Sequence, residues 1–162
     1  MLSIFKHAGR SFGKKKPRRL DDKEYHAART YVLLNCDEVK PYIRIYEDTL
    51  REIQPNIQNS EIDAKLETEF ATWFEKYAHD PSSGISNQII KDLAEGPLYK
   101  VKSFNGYVVN GYKFHTERYG SRRSTMNSGV CIKSSSHSAD DIDYYGRLTK
   151  ILQLEYPALP IK

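Results

Sequence analysis

At Gly96-Pro97 the hydrophobic period of this chain changes, and that change limits what it can fold into more than any other feature. Before it, apolar residues recur every three to four positions; beyond it they alternate, and the charge changes sign. A stop glycine followed by a proline that cannot continue a helix fits a boundary at about residues 96–98. Residues 1–20 carry seven Lys/Arg and no acid, residues 21–97 eight basic and sixteen acidic side chains, and residues 98–162 ten basic and five acidic. The net charge of +4 therefore averages over a basic arm, an acidic middle and a basic end. A polyanion would meet the arm and the end, or the middle and the end would attract each other. The pattern predicts an α+β chain in three parts. These are a basic flexible N-terminal arm (1–20), an acidic region of three to four helices (21–97) and a β-rich region (98–162). The last reads as a small antiparallel sheet or, by analogy with other strand–Gly–strand modules, an incomplete SH3-like barrel.

The arm contains Gly9, Gly13 and Pro17 and no sustained period, so it reads as flexible. Asp21 and Asp22 open a helix with Tyr25, Ala28, Val32 and Leu33 on one face. A second helix carries Val39, Tyr42, Ile43, Tyr46, Leu50 and Ile53, with Pro41 near its start and Pro55 closing it. Ser60 reads as the cap of a third, with Asp63 standing where Glu or Gln would complete a capping box, and Ile62, Leu66, Phe70, Trp73, Phe74 and Tyr77 form an aromatic stripe along it. A helix of this amphipathicity must bury such a stripe, so it reads as core. A short helix, SNQIIKDLAEG, ends at Gly96.

Beyond the boundary, Asn105-Gly106 is the strong hairpin signal, because a type I′ turn needs positive φ twice. Asn110-Gly111 reads as a second turn or a bulge before YKFHTERY. GVCIK is a short strand, and the even positions Tyr144, Leu148, Leu152, Leu154 and Tyr156 predict one further strand.

Two clusters carry candidate chemistry. The run Lys14, Lys15, Lys16, Pro17, Arg18, Arg19 attracts phosphates or is read by nuclear import receptors as an extended peptide; otherwise it is an ordinary solvated arm. The loop holding Arg118, Arg122 and Arg123, with Tyr119 and several hydroxyls, suits phosphate oxygens and base stacking. Its plainer reading is a solvated hairpin loop or a partner for the acidic helices. Asp140, Asp141 and Asp143 crowd into one loop, whereas two-metal sites gather carboxylates from separate elements, so they read as flanking the next strand. The five histidines and two cysteines have no metal-ligand spacing. Nothing resembles a nucleophile motif, a P-loop or a dinucleotide fingerprint, so no catalytic residue, metal or cofactor is assigned. No apolar run reaches membrane-span length, which points to a soluble intracellular protein.

The segment GYVVNGYKFHT, then NSGV, then DYYG leading into ILQLEYP resembles a plant family. These are the domains of unknown function that follow the transposase domain in proteins of CACTA-type (En/Spm-like) DNA transposons. SIFKHAGRSFGKKKPRRL, YVLLNCDEVKPYI and FATWFEKY are similar to the tail of one such domain, and residues 98–162 to the start of the next. The resemblance implies a truncated, non-catalytic accessory module, since the acidic active site of those transposases belongs to an upstream domain. Similar proteins continue past PALPIK into further strands, which implies an uncovered sheet edge over YYGRLTKILQLEY.

Three readings follow. The first is a nuclear accessory module with weak DNA affinity through Lys14, Lys15, Lys16, Arg18, Arg19, Arg118, Arg122 and Arg123. The second is a protein-interaction module whose open sheet edge docks another transposase chain or a second copy. The third is an inert remnant. No membrane and no small-molecule substrate is expected. The basic run places the protein in the nucleus, and otherwise in the cytoplasm.

Overall fold

Helix α1 (Asp22–Leu34) opens at Asp21 and Asp22, as the sequence predicts. It does so through a reciprocal cap that the sequence reading did not name: Asp21 Oδ1 accepts from the Glu24 N–H at 2.8 Å, and Glu24 Oε1 from the Asp21 N–H at 3.4 Å. The structure, a computed structural model, describes residues 2–6, 9–120, 128–132 and 144–159. After α1 come α2 (Lys40–Ile53), with Pro41 in its first turn, α3 (Asn59–Thr68), α4 (Phe70–His79) and α5 (Gln88–Glu95). The Asn87 side chain caps α5 through the Ile89 N–H, and Gly96 ends it with φ at 93°. The α+β class holds.

Two details of the helical reading change. The single helix expected from Ser60 is two, broken at Glu69. Thr68 Oγ1 donates to the Ala64 carbonyl at 2.8 Å just before the break. The cap lies earlier than Ser60: α3 begins at Asn59, and the Glu61 carboxylate, not that of Asp63, accepts from the Gln58 N–H at 2.8 Å.

The chain divides into two compact units. The first comprises 1–7, 19–100 and 154–162; the second comprises 8–18 and 101–153. Each draws on segments far apart in sequence, which the three contiguous spans read from composition do not capture.

In the helical unit, Leu33, Cys36, Val39, Phe70, Phe74 and Leu93 are fully buried. The aromatic stripe is core, as read. Phe70 stacks on Phe74 at 5.5 Å between ring centroids and Trp73 on Tyr77 at 4.7 Å, with Tyr42 and Tyr46 of α2 packed against them. Two terminal segments complete this core. Leu2 is buried against it, and Tyr156 is buried with its ring edge-on to Phe5 at 5.6 Å. Residues 154–159 thus belong with the helices, although alternation reads them as strand, because Leu154, Tyr156 and Leu159 have a helical core to cover.

In the β unit, β1 (Arg10–Phe12), β4 (Gly106–Val109) and β5 (Tyr112–His115) form one sheet in the order β1-β4-β5. A second sheet orders β2 (Lys16–Arg19), β3 (Lys100–Phe104) and β8 (Ile151–Gln153) as β2-β3-β8. A third ladder pairs β6 (Gly129–Ile132) with β7 (Tyr144–Arg147). The described strands therefore fall into three sheets.

The flexible arm is the main correction. Residues 10–12 and 16–19 are strands, because β1 lies antiparallel to β4 and β2 flanks β3, so their backbone groups are used in ladders. The hairpin assignment is corrected too. The turn joining β4 to β5 is Asn110-Gly111, with φ at 50° and 78°. Asn105-Gly106 makes no hairpin, since β3 pairs with β8 while β4 pairs with β1 and β5. Asn105 is where the chain passes from one sheet to the other. The strand expected over 144–156 is likewise interrupted, with residues 148–150 between β7 and β8.

Candidate nucleic-acid interface

Dividing the chain by structure sharpens its charge pattern. The β unit carries thirteen Lys/Arg and four Asp/Glu, and the helical unit twelve and seventeen. Net charges of +9 and −5 follow, so the cations are concentrated where the strands are.

Within the β unit a cavity of about 370 Å³ is lined by Lys16, Ser103, Phe104, Asn105, Thr116, Arg118, Thr149 and Lys150. The β2-β3-β8 sheet explains why these residues meet. The β3–β8 register places Phe104 opposite Ile151, and continuing it one step places Asn105 opposite Lys150. Lys16 begins β2 on the other side of β3. The remaining wall is tied down by backbone bonds. The Thr116 N–H donates to the Asn105 carbonyl at 2.9 Å, Glu117 N–H to Leu148 O at 2.6 Å and Leu148 N–H to Ser128 O at 2.6 Å. An Arg147–Glu117 ion pair at 3.0 Å links the same segments. Together these place Arg118, in the four-residue helix α6 (Glu117–Gly120), and Lys150 in the lining of one cavity. Thr116 is buried, while Lys16, Arg118, Thr149 and Lys150 are exposed.

The chain matches no protein-family model, no curated protein and no solved structure.

Of the candidates read from sequence, the structure brings Lys16 and Arg118 together at this cavity. Lys14 and Lys15 are exposed just before β2, and Arg18 is half-buried within it. Arg19 falls in the helical unit, where its guanidinium lies 4.8 Å from the centroid of the Tyr99 ring, itself stacked on Tyr25 at 3.9 Å. Arg122 and Arg123 lie outside the described residues, as do Asp140, Asp141, Asp143, His7 and His137. Lys150, Ser103 and Thr149 were missed in the sequence reading. The only signal for Thr149 and Lys150 was alternation near the end of the chain, and for Ser103 the strand before Asn105, neither of which says anything of a strand partner.

Elsewhere, His26 Nε2 sits 2.9 Å from the Glu67 carbonyl oxygen and His79 Nε2 3.3 Å from Glu95 Oε1. His115 packs edge-on to Phe12 at 5.4 Å. Among the described residues no group of three His, Cys, Asp or Glu side chains is placed to hold a metal ion. No helix in them is long and apolar enough to cross a membrane.

Proposed function

We propose that this chain is a non-catalytic, transposase-derived accessory module that binds nucleic acid through its basic β unit and acts in the nucleus. One observation carries the nucleic-acid reading: Lys16 from the N-terminal basic run and Arg118 from the distant basic loop line one cavity, joined there by Lys150. Cations gathered from three segments of a +9 unit suit a phosphate backbone, since each neutralised phosphate releases counterions. The surrounding hydroxyls of Ser103, Thr116 and Thr149 supply the hydrogen-bonding groups that phosphate and sugar oxygens use. The transposon ancestry is supported by the GYVVNGYKFHT and ILQLEYP segments alone.

Fluorescence anisotropy of a labelled DNA duplex, titrated at two salt concentrations with the folded protein, tests the reading. Binding that weakens steeply with salt is expected. Absence of binding at low salt by protein with helical circular dichroism would overturn it.

A second reading, docking of another copy or another transposase chain, is favoured by β8. Among the described residues β8 pairs only with β3 and forms an edge of its sheet. Concentration-dependent self-association in sedimentation would favour it over the first.

A further inference from the structure

The shape of the cavity selects among nucleic acids. At about 370 Å³ it lies at the small end of the roughly 300–1,000 Å³ range of small-ligand pockets and has room for about a dozen waters. A lone phosphate would leave most of it empty. A duplex cannot enter it, because paired bases show only their edges at the groove floors and the phosphates stand on a convex outer face. One unpaired nucleotide fits both limits, since it can be splayed away from its neighbours and read on its free edges.

The lining suits that occupant. Lys16, Arg118 and Lys150 are exposed residues of the lining, as a phosphate still linked to the rest of a strand requires. Ser103, Asn105, Thr116 and Thr149 line the same cavity with groups that donate and accept hydrogen bonds, as sugar oxygens and base edges require. Buried Phe104 supplies the apolar part of the wall. The walls are preorganised, because Thr116 is bonded through its backbone to Asn105, and Glu117 to Leu148.

We infer that this cavity takes one unpaired nucleotide with its phosphate, so that the β unit prefers strand ends carrying an overhang to the interior of a duplex. The inference rests on the nucleic-acid reading above and narrows it.

The test compares two labelled duplexes by anisotropy at one moderate salt concentration. One is blunt, and the other carries a short unpaired 5′-phosphorylated overhang. The overhang is expected to tighten Kd by about tenfold, the size of one or two charge-assisted hydrogen bonds. A deoxynucleoside 5′-monophosphate added as competitor should abolish that increment, and inorganic phosphate at the same concentration should not. Lys150→Ala, at an exposed position, should remove the increment while circular dichroism stays unchanged; Lys23→Ala on α1 should not remove it. Equal affinity for both duplexes with salt dependence retained would overturn the cavity inference and leave the nucleic-acid reading standing. Competition by inorganic phosphate as strong as by the nucleotide would overturn it too, showing a phosphate subsite only. Failure to bind either duplex would overturn both.

Discussion

Phe12 stands opposite Gly106 in the β1–β4 ladder, and its ring fills the space that a β-carbon on Gly106 would occupy. The same ring meets His115 edge-on, and His115 is the next residue along that row, paired with Gly106 from β5. One aromatic side chain thus covers a bare glycine and spans three strands. This packing adds to the backbone ladder that holds residues 10–12 in the sheet.

Gly106→Ala should therefore destabilise the protein by overpacking, by about 1–3 kcal/mol. Phe12→Ala should also destabilise it. The double variant should lose less than the sum of the two, because removing the ring frees the space the new methyl needs. Denaturant melts of the four proteins measure this. Strict additivity would show that the two residues do not share the space.

Arg29 is the main polar tie of the helical unit. Its Nη2 donates to Glu75 Oε2 at 2.6 Å, to the Ala94 carbonyl at 2.6 Å and to the Ala71 carbonyl at 3.4 Å, joining α1 to α4 and α5. Only 11% of its side chain is exposed. Arg29→Ala should cost about 2–4 kcal/mol, since it strands buried carbonyls and removes stem packing. Arg29→Lys should recover only part of this, because all three bonds come from Nη2 at the far end of the side chain, a point the shorter lysine does not reach. Urea unfolding of both variants checks the order.

The N-terminal segment is clasped by Glu38. Its carboxylate accepts from the Ser3 N–H at 2.9 Å, the Ser3 hydroxyl at 2.7 Å and the Cys36 thiol at 3.1 Å. The Ser3 hydroxyl, followed by the Cys36 thiol, holds its pKa down at about 2 against an ordinary 4.5. A folded pKa below the unfolded one gives stability that is complete above about pH 4.5 and lost as pH falls toward 2. Hydrogen-exchange protection of the Phe5 and Lys6 amides, which bond back to Leu2 and Ser3, should fall across that window. Glu38→Gln should abolish the pH dependence. Flat protection in the unsubstituted protein would show that the clasp does not hold the segment.

The cavity cations should register in salt dependence. Lys16→Ala with Lys150→Ala should reduce the slope of log K against log salt by about two for the duplex that carries the overhang. Substitution of Lys23 and Lys91, in the helical unit, should leave it unchanged. Equal losses in both double variants would mean that net charge, not this cavity, sets affinity. Deleting residues 1–20 would not isolate the basic run, because Leu2 is core and residues 10–12 and 16–19 are strands.

The two Asn-Gly pairs show how far local reading reaches. Both have the same chemistry, and both stand among alternating residues. Only Asn110-Gly111 turns a hairpin. What separates them is the partner of the preceding strand, since β3 bonds to β8 near the end of the chain while β4 and β5 bond to each other. The candidate site follows the same logic. Lys16 and Arg118 each stood out as part of a cationic cluster, whereas Lys150, a single lysine, became visible only through the β3–β8 register.

By itself the sequence determined what local forces control. The Asp21–Glu24 cap, the proline in the first turn of α2, the buried aromatic stripe and the Gly96 stop all depend on residues within a turn or two of one another. Only the tertiary structure decided where the ends of the chain go and which cations meet. The basic run is drawn into strands by residues 100–109, and Tyr156 leaves the alternating pattern to seal a helical core. Those outcomes are set by ladder partners and exposed core surface contributed from distant segments, and no periodicity within a window of sequence encodes them.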